Sequence, residues 1–160
     1  MLETAIARAI HVLAVVIWIG GVGMATTVVL PLTRRKGQPI EKRLALFEAV
    51  ERRFVWQART ATLLVALSGF YMVDRFNMWA RFASADFWWM HAMVGTWLIF
   101  TLLLFVIEPL VLHRVVHRRA EAGDERVFTA LQWAHWVLLV LSLVTVFAAV
   151  AGSHGLLLAP

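Results

Sequence analysis

Four apolar runs, at residues 4–30, 56–73, 87–112 and 127–152, constrain this chain more than anything else in it. Each reaches the length of about 20 predominantly apolar residues that a helix needs to cross a bilayer. With 61% hydrophobic and 16% charged residues, the chain is well outside the range of soluble domains, which average about 45–50% apolar and about 25% charged. The pattern predicts one all-α domain over residues 1–160, an integral membrane bundle of four transmembrane helices. Between the first two runs, Ile40, Leu44, Phe47, Val50 and Phe54 recur at helical spacing among charged residues. Residues 40–54 therefore read as an amphipathic helix at the interface, or as a cytoplasmic extension of the second span. Pro31 is expected to close the first span, Asp86 to cap the third, and Asp124 with Gly123 to start the fourth.

A net charge of +5 would suit nucleic acid, but the basic residues sit in short connections between apolar runs. There they set membrane orientation instead. Arg34, Arg35, Lys36, Lys42, Arg43, Arg52 and Arg53 crowd the first connection, and Arg114, Arg118, Arg119 and Arg126 the third. The second holds only Arg75 and Arg81. By the positive-inside rule connections one and three are cytoplasmic, and both termini face the periplasm of a bacterial inner membrane. Trp79, Trp88 and Trp89 around the second connection read as an aromatic belt at that outer surface, with Trp56 at the opposite one. The N-terminus, Met1-Leu2-Glu3, lacks the basic start of a cleaved signal. Cysteine is absent, which excludes disulfides, thiolate metal sites, iron–sulfur clusters and covalently attached haem.

Within this frame the histidines carry the chemistry, because an imidazole in hydrocarbon needs a partner. His11 lies in the first span and His91 in the third. At about 1.5 Å per residue both should sit roughly 6–10 Å below the same surface. Two neutral imidazoles on facing helices suit axial ligation of a b-type haem. Gly95 lies one turn after His91, and Ala14 and Val15 one turn after His11, which would let a flat ring approach. Gly20, Gly21, Gly23 and Gly69 would likewise allow close packing. Either histidine could instead hydrogen-bond a carbonyl or hydroxyl of a neighbouring helix. His135 shares a helical stripe with Ser142, Thr145 and Gly152, so it should face the bundle, as a ligand of a second haem with His113 or as a hydrogen-bonding group. His113 and His117 read most simply as interfacial residues, and His154 as an outer substrate or metal contact or a solvated tail.

Met90-His91-Ala92-Met93 offers soft sulfur and imidazole together, a set that suits cuprous copper; methionine is also an ordinary core filler. Arg59 and Glu108 stand inside apolar runs near the cytoplasmic face and should neutralise each other. Beyond a structural pair, they could deliver protons or contact a haem propionate or a quinone.

Ile10-His11-Val12-Leu13-Ala14 through Trp18-Ile19-Gly20-Gly21 resembles the first span of the copper-resistance protein D-like membrane family and of the related HemJ-type protoporphyrinogen oxidases. Glu41-Lys42-Arg43-Leu44 and Trp89-Met90-His91-Ala92 are similar to the oxidases as well. The resemblance covers most of spans one to three and implies a four-helix haem b protein with His11 as axial ligand. It departs from the oxidases at Met93, where they carry lysine, and in lacking their Asn-Glu-x-Pro-like element in the last span. Both departures count against porphyrinogen oxidation. The copper-resistance relatives imply copper handling.

Taken together, the sequence leads us to expect a haem b protein of the inner membrane in electron transfer or redox catalysis. Its axial pair would be His11 and His91, with Gly95 beside the ring and His135 and His154 as lesser candidates. Its partners would be membrane lipids, a quinone or a periplasmic redox protein, and a second copy or a larger complex. The competing classes are a copper transport or tolerance protein using His11, Met90, His91 and Met93, and a cofactor-free small subunit of a respiratory complex.

Overall fold

The computed structural model describes residues 2–34, 37–112, 114–115, 118–119, 122, 124 and 126–155, without the side chains of 111 and 112. The chain is all-α. Helix α1 (Leu2–Met24) runs through a π-helical turn (Ala25–Val29) into α2 (Leu30–Thr33). Helix α3 (Ile40–Arg75) follows, then two short 3-10 turns (Trp79–Ala83 and Ala85–Phe87). Helix α4 (Trp88–Leu102) continues as a π-helical segment (Leu103–Leu112), and α5 (Arg126–Ser153) completes the bundle.

Three stretches, Leu2–Thr33, Ala85–Leu110 and Arg126–Ser153, are long and apolar enough to cross a membrane, as a membrane protein requires. The outer face agrees, with Leu67 and Phe147 each 70% exposed, as apolar side chains are on a surface that meets lipid or another protein. The amphipathic residues 40–54 and the apolar residues 56–73 form one continuous helix of 36 residues. Residues 40–54 are thus an extension of the helix that carries residues 56–73, and α3 is not among the three stretches of spanning length and apolarity.

Helix α1 packs chiefly along α3, and α4 along α5. Ala14, Trp18 and Val22 of α1 meet Ala61 and Val65 of α3, Phe100 of α4 and Leu139 of α5 in the central core. Leu30, Phe47, Val127, Phe128 and Leu131 fill the end nearest the first and third connections. At the other end Val73, Trp89, Met90 and Ala148 pack together. Trp89 is thus an inward residue, 6% exposed, and does not serve the belt. Its ring lies against Gly152, where an added Cβ would come within 2.5 Å of it. Thr96 and Thr145 hydrogen-bond across α4 and α5 at 2.8 Å, and the indole N–H of Trp97 donates to the Thr62 carbonyl at 3.1 Å.

Two prolines lie within or just after π-helical backbone. A π-helix pairs each N–H with the carbonyl five residues earlier, and proline has no N–H to give. Pro31 does not close the first helix; the chain passes through it to Thr33. Pro31 lies in α2, just beyond the π turn of Ala25–Val29, and within that turn the Thr26 carbonyl accepts from the Gln132 amide of α5 at 2.8 Å. Pro109 lies inside the second π segment. The carbonyl five residues before it belongs to Leu104, and Arg59 from α3 donates to that oxygen from Nε at 2.9 Å and from Nη2 at 2.8 Å. At Pro109 a long polar side chain from a neighbouring helix thus supplies the missing donor, and Gln132 completes a carbonyl in the π turn that precedes Pro31.

Helix starts also differ in part from expectation. The side chain that caps the turn before α4 is Ser84, which accepts from the Asp86 N–H at 3.2 Å; Asp86 is one step too late for that role. Asp124 does begin the last helix, its carboxylate accepting from the Arg126 N–H at 3.1 Å, while Gly123 lies outside the described residues.

Candidate functional site

His11 points from α1 into α3. Its Nδ1 lies 3.1 Å from the Val65 carbonyl and 3.0 Å from the Ser68 hydroxyl. A carbonyl only accepts, so Nδ1 carries a proton, and in the neutral imidazole Nε2 then keeps its lone pair. The ring comes this close because Gly69 has no side chain; a Cβ there would stand 3.2 Å from Cε1 of His11. This is the outer-sphere arrangement that fixes the tautomer of a metal-ligating histidine.

His91 is directed elsewhere. It is exposed, and its Nε2–H donates to the Phe82 carbonyl at 3.0 Å, with the Phe82 ring edge-on at 5.5 Å. The two rings expected to face each other are thus engaged with different partners, one with α3 and the other with the turn before α4. Beside Gly95, a Cβ would meet nothing within 4 Å, so the face of α4 one turn beyond His91 is open. His154 is exposed at the end of α5, its Nδ1–H donating to the Val150 carbonyl at 2.8 Å. His113 and His117 lie outside the described residues. Met90 is 6% exposed in the cluster with Val73, Trp89 and Ala148, and Met93 packs on the same cluster. Their placement is that of core side chains. Among the described residues no three His, Asp or Glu side chains converge as a metal-holding group.

A second place in the bundle gathers polar groups that the sequence did not connect. A cavity of about 180 Å³ lies between α1, α3, α5 and the π segment after α4, towards the end that carries the first and third connections. Its walls are apolar, with Trp18, Phe54 and Phe100 among them, and only Glu51, Glu108 and His135 bring ionisable groups. His135 faces inward as its stripe predicts, and Ser142, Thr145 and Gly152 along that stripe are buried. The Nδ1–H of His135 donates to the Leu131 carbonyl at 2.9 Å, which leaves the lone pair on Nε2. Glu108 accepts from Arg59 at 2.7 Å, each side chain about one-fifth exposed (20% and 21%). The expected pair is therefore formed, and Arg59 also lies 5.6 Å from the Phe105 ring centre. Burial, and secondarily the carboxylates of Glu108 and Glu48, push the Glu51 carboxyl up to about 7. Trp18 is 4% exposed, and its indole N–H meets no acceptor among the described residues.

Glu51, Trp18 and Gln132 were not candidates from the sequence. Gln132, a polar residue within the last apolar run, was the one detectable signal. A wider groove of about 920 Å³ opens between α1 and α3 beside Gly20, Gly21, Arg52 and Arg53. Neither cavity is lined by His11 or His91.

Comparison with protein-family models, with characterised proteins and with solved structures returns no match to this chain.

Proposed function

We propose that the protein crosses the inner membrane of a bacterium four times, with residues 56–73 of α3 as the second span and both termini in the periplasm. We propose further that it holds a b-type haem through His11 and works in electron transfer between a lipid-soluble or periplasmic donor and an acceptor. The observation that carries the haem assignment is the environment of His11. The Val65 carbonyl and Ser68 hold Nδ1 at 3.1 and 3.0 Å, so the neutral imidazole offers its lone pair at Nε2, the form that haem iron accepts. Such a haem, when bound, supplies one-electron chemistry. The chain's own part is to fix the ring of His11 against Gly69, keep its tautomer, and exclude water with the apolar residues around it.

His91 fits as a second ligand only if its bond to the Phe82 carbonyl is given up, since that bond occupies Nε2. The two histidines should therefore behave differently on substitution. Purified in detergent, the protein should show a Soret band with reducible α and β bands. His11→Ala should abolish them, whereas His91→Ala should shift the bands with haem retained. Full haem content in His11→Ala, or no haem in the unaltered protein expressed with ample haem supply, would refute the assignment.

A further inference from the structure

The groove of about 920 Å³ between α1 and α3 is apolar along one helix and basic along the other. Val16, Ile17 and Met24 of α1 are exposed along it. Gly20 lies among them, and a Cβ there would meet nothing within 4 Å, so bare backbone deepens the groove at this point. The next residue acts in the opposite sense. The Phe54 ring fills the space that a Gly21 side chain would need, which seats α1 against α3 at this level. From α3 come Arg52, Arg53 and Gln57.

Charge identifies the polar end of the occupant. Arg52 and Arg53 are exposed, and neither forms an ion pair among the described residues. No acidic side chain among those residues lines the groove. Gln57, one turn further along α3, has an amide without a hydrogen-bond partner among the described residues. Two free guanidinium groups side by side suit a phosphate that carries net negative charge.

Depth identifies the rest of it. The apolar residues 56–73, the proposed second span, begin three positions after Arg53 and rise about 27 Å, close to the hydrocarbon thickness of about 30 Å. Arg52 and Arg53 therefore stand at headgroup level, and Trp56, 68% exposed, marks the same boundary. Antiparallel to α3, helix α1 passes from Met24 to Val16 about 12 Å further into the hydrocarbon. A free phosphate ion has no use for that apolar trough, whereas an acyl chain fills it. Basic pockets between spans on the cytoplasmic side are where anionic head groups bind.

We infer that this groove holds an anionic phospholipid of the cytoplasmic leaflet. Its phosphate lies between Arg52 and Arg53, its ester carbonyls accept from Gln57, and one acyl chain runs along Val16, Ile17 and Gly20. The inference rests on the membrane placement proposed above and not on the haem.

The test titrates the full chain in detergent micelles with phosphatidylglycerol and counts bound lipid by native mass spectrometry. One phosphatidylglycerol per chain is expected, held more tightly than phosphatidylcholine, whose ammonium group cancels its phosphate. Arg52→Gln combined with Arg53→Gln should weaken phosphatidylglycerol binding about thirtyfold and leave phosphatidylcholine nearly unchanged. Arg118→Gln combined with Arg119→Gln removes the same charge from exposed positions in the third connection, and should leave the affinity as it was. Gly20→Leu fills the trough and should weaken both lipids severalfold. Helical content by circular dichroism identifies any variant that fails to fold. Equal affinity for the two lipids overturns the inference and leaves the membrane placement standing. So does unchanged binding in either folded groove variant, or an equal loss in the Arg118 and Arg119 variant. Displacement of phosphatidylglycerol by inorganic phosphate at matched ionic strength would make this a free-anion site, and lipid-free dimers would make it an interface; either result overturns the inference. Recovery of the chain in the soluble fraction without detergent would strike the membrane placement itself.

Discussion

Glu51 titrates near neutrality because the bundle withholds water from it and places Glu108 and Glu48 close by. Its carboxyl moves from an ordinary 4.5 to about 7, so between those values the folded chain binds a proton that the unfolded chain has released. Stability from this group is therefore complete below about 4.5 and is lost as pH rises through about 7. The thermal midpoint of the detergent-solubilised protein should fall over that window, and the fall should be shallower in Glu51→Gln; superimposable pH profiles would count against the burial of this carboxyl. Sequence alone gave no reason to separate Glu51 from the other charges of residues 40–54. Its environment comes from the π segment packed beside it, and no periodicity within α3 reports that. His11 was more legible, since an imidazole inside a long apolar run needs a partner wherever the neighbouring helices fall. Its actual partners, Val65 and Ser68 on α3, depend on which helix lies next to α1, and spacing along one chain does not say.

At the scale of elements, the prolines show how a local rule is modified by packing. Pro31 was expected to end a helix because it lacks an N–H, yet the helix continues through it to Thr33, and Gln132 donates to the Thr26 carbonyl in the π turn just before it. Pro109 is accommodated by Arg59 at the Leu104 carbonyl. The pairing of Arg59 with Glu108 was legible from two opposite charges in apolar runs, but the second duty of the arginine was not. Arg59→Leu strips a donor from Leu104 and the partner from Glu108 together, and should cost at least about 1–3 kcal/mol. Pro109→Ala returns a backbone N–H to the ladder, so Arg59→Leu should cost less in that background. A double-mutant cycle on thermal or denaturant stability measures the difference; a cost that is the same in both backgrounds would show that Arg59 serves only the ion pair. The sequence allowed the continuity of α3 from Ile40 to Arg75, since no glycine or proline separates the charged run from the apolar one, but it equally allowed a separate interfacial helix.

For the molecule as a whole, the apolar exterior and the three stretches of spanning length follow from composition and were readable without a structure. The proposed orientation adds the positions of the arginines, and it has a direct test, since the chain contains no cysteine. Gln38→Cys places a thiol in the first connection and Ala85→Cys one in the second, both at exposed positions. In spheroplasts a membrane-impermeant maleimide should label Ala85→Cys at once and Gln38→Cys only after lysis; the reverse order would invert the topology. What composition did not convey is the internal division of the bundle. His11 and His91 lie towards one end, while the cavity with Glu51, Glu108 and His135 lies towards the other.

The proline-interrupted π turns have a consequence for how such a bundle is made. A span whose backbone is whole can wait alone in lipid until its neighbours arrive, but the first helix and the π continuation of α4 here each carry a carbonyl that a side chain of another helix satisfies. Gln132 is more than a hundred residues downstream of the oxygen it completes. The first helix thus remains chemically unfinished until the last one has been synthesised, and assembly becomes part of insertion instead of a step that follows it.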